Sequence, residues 1–361
     1  MTSAEALKTV EAIAAYGLSE SGDQTGDTKI EIDDAIADEV LAGIAENRIS
    51  GTAILALTQD AIASSEETEE KLIAQHDEVM GQSMRTEIMA VRVSDMLTGA
   101  GIEHRLLKGA ALAHTVYEDP AARSFRDVDV LVSSAAIEAT VALLTSHGAT
   151  RAQPELRPGY DKRFAKSVTL KLDGVEVDLH RVLSPGPFGV WMKPNDLFVL
   201  RSVIDVAGVN IPILDRTDNL LHACYHLALG QVEPVLSNVR DAALLAGTDA
   251  NIGFDATRFD QSVDRWKGRV VVRRAVRIVE RRLGVTLPEP LRSYGRAVAD
   301  QAELAALEPY LASGDGGRFG ALVPATLKAL PMADRAAYAL AVGLPEGTEP
   351  VERLKGLLKR T

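Results

Sequence analysis

The stretch from Leu106 to Val132, LLKGAALAHTVYEDPAARSFRDVDVLV, together with VTLKLDGVEVDLH from Val168 to His180, decides the fold of this chain. The segment from Ile102 to Leu107 is short and bounded by turn residues, which predicts a strand, and Gly109 to Tyr117 reads as a helix. RDVDVLV predicts a second strand. Side chains alternate along a strand, so Asp127 and Asp129 share one face while Val128, Val130 and Val132 take the other, against covering helices. A helix follows from about Ser134, placed as its N-cap, to His147, with Gly148 as its stop. Asp173-Gly174 between two alternating segments predicts a hairpin. On its second strand Glu176, Asp178 and His180 share a face, with Val175, Val177 and Leu179 behind them.

Where those two acid-bearing strands are neighbours, Asp127, Asp129 and Asp178 form a cluster. Three like charges at close range repel unless a cation sits between them, and their hard oxygen donors suit Mg²⁺ or Mn²⁺ rather than zinc. The plain alternative is a set of acids on the wet face of an edge strand. The upstream segment favours the cluster: strand, Lys-Gly turn and helix bring the amides of Gly109, Ala110 and Ala111 to a helix N-terminus, where a phosphate binds, with Lys108 as a point charge.

Taken together, LLKGAALAHTVYEDPAARSFRDVDVLV and VEVDLHRVL resemble the nucleotidyltransferases of the DNA polymerase beta superfamily. The resemblance is greatest to a bacterial branch with Lys-Gly, Asp-x-Asp and Val-Asp-Leu-His motifs. It covers residues 90–182 closely and extends more loosely through DNLLHACYHLALG and VRDAALLA. It implies that Asp127 and Asp129 carry the metals, that Asp178 is the third carboxylate, and that Gly109 and its neighbours hold a triphosphate. The superfamily usually has Gly-Ser at this turn, and here Ala110 follows Gly109. Lys108 and Arg123 are expected to compensate electrostatically, Arg123 through a bidentate phosphate contact. Arg126, where the superfamily commonly has Ser, either holds phosphate or pairs with an acid. His180 orients a carboxylate, touches substrate or is structural.

Working outward, the expected fold class is α+β: a small mixed-sheet nucleotidyltransferase core at 101–215, between helical regions at 1–100 and 216–361. The N-terminal region starts with a short helix to residue 18 and a polar, Gly/Asp-rich loop over 19–34. Helical spacing follows over 35–57 and 66–97, with Met84, Ile88, Val91, Val93 and Leu97 as an apolar face. The length of 361 residues makes two domains the prior. Apolar residues make 46% and charged residues 25% of the chain, which excludes a chain disordered throughout. Net charge is −12, against a general nucleic-acid coat protein. Aromatics at 4% leave few platforms for base stacking. One cysteine, Cys224, excludes an internal disulfide and reads as an inert buried thiol. The longest uncharged run, from Asn219 to Val232, is too short and too polar to span a bilayer, so no membrane contact is expected. MTSAEALKTVEAI has acids where a signal peptide needs a basic start, so a cytoplasmic protein is expected.

His222 and His226 share a helical face without the acid of a zincin motif, and core packing is the expectation. Arg265, Arg269, Arg273, Arg277 and Arg281 recur every four residues, and Lys267, Arg274 and Arg282 add to them against only Asp264 and Glu280. This is either the solvated side of an amphipathic helix or a track for RNA, a nucleotide or an acidic partner. The C-terminal VERLKGLLKR reads as packing. The expected function is Mg²⁺-dependent transfer of a nucleoside monophosphate from an NTP, ATP among the candidates, to an acceptor that is a small molecule, peptide, protein or RNA. The alternatives are a non-catalytic nucleotide- or partner-binding module on the same fold, and a toxin-like tRNA-modifying nucleotidyltransferase.

Overall fold

The computed structural model describes residues 3–18, 29–247, 254–298, 300–312 and 315–343. Most of the early polar loop, the interruption at 248–253 and the basic segment 351–360 lie outside the described residues.

The N-terminal region forms α1 (Ala4–Ala15), α2 (Ala37–Glu46), α3 (Ser50–Thr58) and the long α4 (Glu66–Gly99). It is not wholly helical, because β1 (Ile30–Glu31) pairs in parallel with β2 (Ile62–Ala63). The expected apolar face of α4 is also corrected. Met84 is 61% and Ile88 68% exposed, whereas Met89, Ala90, Val93 and Leu97 are buried. The buried positions between them are small and polar: Ser83, Thr86 and Ser94. Ser83 Oγ donates to the Phe125 carbonyl at 3.2 Å and accepts from the Phe125 amide at 3.1 Å. These bonds let a polar residue face the core without loss.

The core consists of β3 (His104–Leu107), α5 (Gly109–Val116), β4 (Asp127–Val132), α6 (Ile137–Ser146), β5 (Thr150–Arg151), α7 (Tyr160–Arg163), β6 (Ser167–Leu172), β7 (Val175–His180), α8 (Gly186–Trp191), β8 (Ser202–Val206) and β9 (Val209–Ile213). These strands make one mixed sheet in the order β5-β6-β7-β4-β3-β9-β8. Among the described residues the fold is α+β, with helices before and after the sheet. The Asp173-Gly174 hairpin joins β6 to β7 with both residues at positive φ, +47° and +84°, as its tight turn requires. α6 starts later than its sequence suggests: Ala136 is its N-cap and no side chain caps it, so Ser134 is not the cap. Gly148, at φ +96°, does end it.

Val128, Val130 and Val132 pack with Met89, Val93 and Leu97 of α4 in one apolar cluster. On the opposite face Leu107 and Leu131 join a second cluster, built largely from flanking helices. That cluster includes α9 (Arg216–Leu229), α10 (Leu236–Ala246), α11 (Ala256–Arg265) and α12 (Arg269–Leu283), followed by α13 (Leu291–Arg296) and α14 (Gln301–Leu307). Ala6, Val10 and Ile13 of α1 belong to it too, so helices from both ends of the chain share one core. α15 (Asp315–Ala329) and α16 (Met332–Gly343) complete the described chain. No helix among the described residues is long and apolar enough to cross a membrane.

Candidate active site

The two acid-bearing strands are adjacent and parallel, with Asp127 opposite Glu176 and Asp129 opposite Asp178. Period-two alternation therefore brings both pairs to one face. Ligand atoms of Asp129, Asp178 and His180 all lie within 4.8 Å of one another, a spacing that one cation can bridge. Asp127, at the start of β4, is half-buried at the edge of this group. Burial, and then the charge of Asp129, raises its carboxyl above the usual range.

Asp129 is 4% exposed. Burial alone would raise its pKa, but the Lys108 ammonium and the His180 ring outweigh it and hold the carboxyl well below the usual value. Both contacts fall on one oxygen: Lys108 Nζ lies 2.8 Å and His180 Nε2 2.6 Å from Oδ1. A carboxylate only accepts, so His180 donates its Nε2–H, and its buried Nδ1 has no partner. Burial, followed by the charge of Lys166, lowers the His180 pKa, with Asp129 opposing. His180 is thus hydrogen-bonded to a carboxylate of the cluster. Asp178 accepts a hydrogen bond from the Thr169 hydroxyl of the neighbouring strand.

The turn between β3 and α5 is left-handed at two successive residues, Lys108 at φ +44° and Gly109 at φ +26°. A Cβ on Gly109 would sit 3.3 Å from the Phe125 ring. The position favours glycine on both grounds. Ala110 and Ala111 are buried against the sheet.

The family described as "Uncharacterised nucleotidyltransferase" matches residues 33–284, from the start of α2 through the end of α12. The chain belongs to this family. Helices on both sides of the sheet are thus part of the family's own unit, while α1 and β1 precede it and α13 to α16 follow it. Among solved structures, an antigenic nucleotidyltransferase-like protein from Paracoccidioides brasiliensis is similar at 12% identity and a TM-score of 0.32, over 57% of this chain and 93% of that one. No curated protein matches the chain.

In this nucleotidyltransferase-family protein Arg123 pairs with a carboxylate outside the cluster, although the charge of Asp127 reaches it. It is buried, and its guanidinium spans both oxygens of Asp241 in α10, with Nε at 2.9 Å from Oδ1 and Nη2 at 2.8 Å from Oδ2. The fork geometry expected for a phosphate is spent on a carboxylate, and the ion pair raises the Arg123 pKa against burial. Tyr117 OH donates to the same Asp241 Oδ1 at 2.8 Å. Arg126, by contrast, is exposed and has no ion-pair partner among the described residues.

Two cationic side chains near the cluster carry no sequence motif. Lys166, just before β6, is half-buried, and burial followed by the Lys108 charge pushes its pKa down to about 8. Arg48, at φ +55° in the turn between α2 and α3, is exposed, and its charge reaches Asp127. That turn is anchored by Gly51, where a Cβ would come within 2.2 Å of the Ala121 carbonyl oxygen.

His222 and His226 line a small cavity together with Lys108, Asn219, Asn238 and Asp241. His226 Nε2 meets Asn238 Nδ2 at 3.1 Å, and the buried His222 Nε2 has no partner. Cys224 is buried, its thiol pushed up to about 12, which makes it inert at neutral pH.

The arginine stripe is corrected in two ways. Arg265 ends α11 and Arg269 opens α12, so one continuous helix does not carry it. Arg265 pairs with Asp196 at 2.7 Å, Arg269 with Asp264 at 2.5 Å, and Arg282 with Glu11 at 2.6 Å. Only part of the stripe retains free charge.

Proposed function

We propose that this protein transfers a nucleoside monophosphate from an NTP to an acceptor hydroxyl or phosphate and releases pyrophosphate, as in the DNA polymerase beta superfamily. The observation that carries the reading is the convergence of Asp127, Asp129 and Asp178 from two neighbouring parallel strands, beside the left-handed Lys108-Gly109 turn. The residues fit Mg²⁺ or Mn²⁺. Three carboxylates share one face, Lys108 is hydrogen-bonded to only one of them, and burial followed by the charge of Asp129 raises the Asp127 pKa. Asp127, Asp129 and Asp178 are the proposed ligands. A divalent cation held by these residues would supply Lewis-acid polarisation of an attacking oxygen and charge neutralisation for the leaving pyrophosphate.

The chain's own residues do the rest. His180 holds Asp129 in one orientation, and Thr169 does the same for Asp178, so the donor set is fixed before substrate arrives. Gly109 opens the turn at the start of α5, where its amide and those of Ala110 and Ala111 receive phosphate oxygens. Lys108, Lys166, Arg126 and Arg48 supply positive charge around the triphosphate, and electrostatic stabilisation of this kind is the main catalytic contribution in phosphoryl chemistry. Arg123 acts through Asp241 to hold the loop that precedes Asp127.

The test is label transfer from each α-labelled NTP, with Mg²⁺, into the small-molecule, protein and RNA fractions of a lysate. Label in one fraction that disappears with Asp129→Asn supports the reading and identifies the acceptor class. Tight NTP binding with no transfer to any fraction would replace it with the non-catalytic module.

A further inference from the structure

Outside the carboxylate site, α12 and α14 line an open cavity of about 550 Å³. Four arginines of α12 line it: Arg273, Arg274, Arg277 and Arg281. Its apolar wall comes from Val270 and Ile278 of α12 and Leu304 of α14. None of the four arginines has a carboxylate partner among the described residues, although the protein carries 51 acids against 39 basic residues. Two of the neighbouring acids are already engaged elsewhere. Glu233 is bonded to Arg282 at 3.4 Å, and Glu303 accepts from the Val270 amide at 2.9 Å. Glu280 lies on α12 itself.

Two of the guanidinium groups are also held in place. Arg274 Nε donates to the Ala228 carbonyl at 3.1 Å and its Nη2 to the Val232 carbonyl at 3.2 Å. Arg277 Nε donates to the Gly295 carbonyl at 3.0 Å. Arg273 Nε is buried with no hydrogen-bond partner at all. Burial, then the charge of Arg281, lowers the Arg274 pKa, with the charge of Glu233 opposing. An orphaned buried guanidinium donor is costly and is relieved by a bound anion, and the half-buried Arg273 and Arg274 with the exposed Arg277 and Arg281 concentrate positive charge that attracts one.

The geometry points to a second ligand site in this cavity, one that takes a small phosphate-bearing molecule with an apolar or ring portion. The arginine forks match phosphate oxygens bidentately, the wall of Val270, Ile278 and Leu304 covers the uncharged part, and the volume is that of a small-molecule pocket. A continuous RNA track would need Arg265 and Arg269 as well, and both are neutralised by acids. The site stands independently of nucleotidyl transfer.

The test is isothermal titration of the full chain in EDTA, where the carboxylate site has no cation, with AMP, inorganic pyrophosphate and a short single-stranded RNA as separate probes. AMP or pyrophosphate is expected to bind one to one. Arg273→Ala/Arg277→Ala should weaken that binding at least tenfold, and so should Arg273→Lys/Arg277→Lys, which keeps the charge and removes the fork. Arg265→Ala/Arg269→Ala should leave it unchanged. Tighter binding of AMP than of pyrophosphate identifies a ring-bearing ligand; the reverse identifies a bare polyphosphate within the same site. The proposal is overturned if neither probe binds, if binding survives both changes at Arg273 and Arg277, or if only RNA binds and requires Arg265 and Arg269.

Discussion

Replacing Asp241 with Ala removes the only carboxylate among the described residues that meets the buried Arg123 guanidinium. The structure shows what is lost: three Arg123 contacts at 2.8 to 3.2 Å and the Tyr117 hydroxyl bond at 2.8 Å. Arg123 is 6% and Asp241 3% exposed, so water does not replace the lost partner. Breaking one side of a buried, hydrogen-bonded pair costs about 3–5 kcal/mol, because an uncompensated charge stays behind. At roughly 2–4 °C per kcal/mol for a large domain, Asp241→Ala should lower the melting temperature by about 10 °C. The assay is thermal and urea unfolding followed by circular dichroism. Arg123→Met/Asp241→Leu removes both charges and should be much less damaging than Asp241→Ala alone, with a coupling of at least ~2 kcal/mol. An Asp241→Ala variant within about 1 kcal/mol of wild type, or a double variant as unstable as the sum of its singles, would refute the buried pair as the anchor of this loop.

Two further predictions concern the approach to the site. Gly51→Ala places a Cβ within 2.2 Å of a backbone carbonyl oxygen, so the α3 turn must shift. Urea unfolding should show a loss of about 1–3 kcal/mol, and an unchanged midpoint would contradict the close approach. Lys166, with its pKa near 8, is mostly protonated at pH 7 and mostly neutral at pH 9. NTP affinity with Mg²⁺, measured by titration, should therefore fall as pH rises from 7 to 9, by up to about tenfold per unit above 8, and Lys166→Met should bind more weakly at pH 7 and lose this slope. A slope that persists in Lys166→Met would remove Lys166 from the phosphate's surroundings.

Much of the core was legible because strand alternation is a rigid rule. RDVDVLV and VEVDLH place their acids on one face whatever the surroundings, and Asp173-Gly174 specifies its own turn. Arg123 was misread because its partner, Asp241, lies far along the chain: local sequence gives a side chain's type and not its tertiary mate. The face of α4 was misread because Ser83, Thr86 and Ser94 are buried with hydrogen bonds satisfied, which hydropathy counts as exposed, while Met84 and Ile88 point to solvent. Arg48 and Lys166 had no motif at all, and only folding brings them near Asp127 and Asp129. The arginine stripe failed for a geometric reason. The row crosses the break between α11 and α12, so Arg265 and Arg269 meet acids while Arg273, Arg277 and Arg281 line one cavity.

The central claim is that Asp127, Asp129 and Asp178 bind a divalent cation and, through it, an NTP. The most direct measurement is the melting temperature of wild type and of Asp127→Asn/Asp129→Asn, with and without Mg²⁺ and each NTP. A nucleotide at about 100 times its Kd should stabilise the wild type by roughly 2.7 kcal/mol. That gain should require Mg²⁺ and be absent in the variant. A wild type that no NTP stabilises in the presence of Mg²⁺, or a variant stabilised as much as the wild type, would contradict the account.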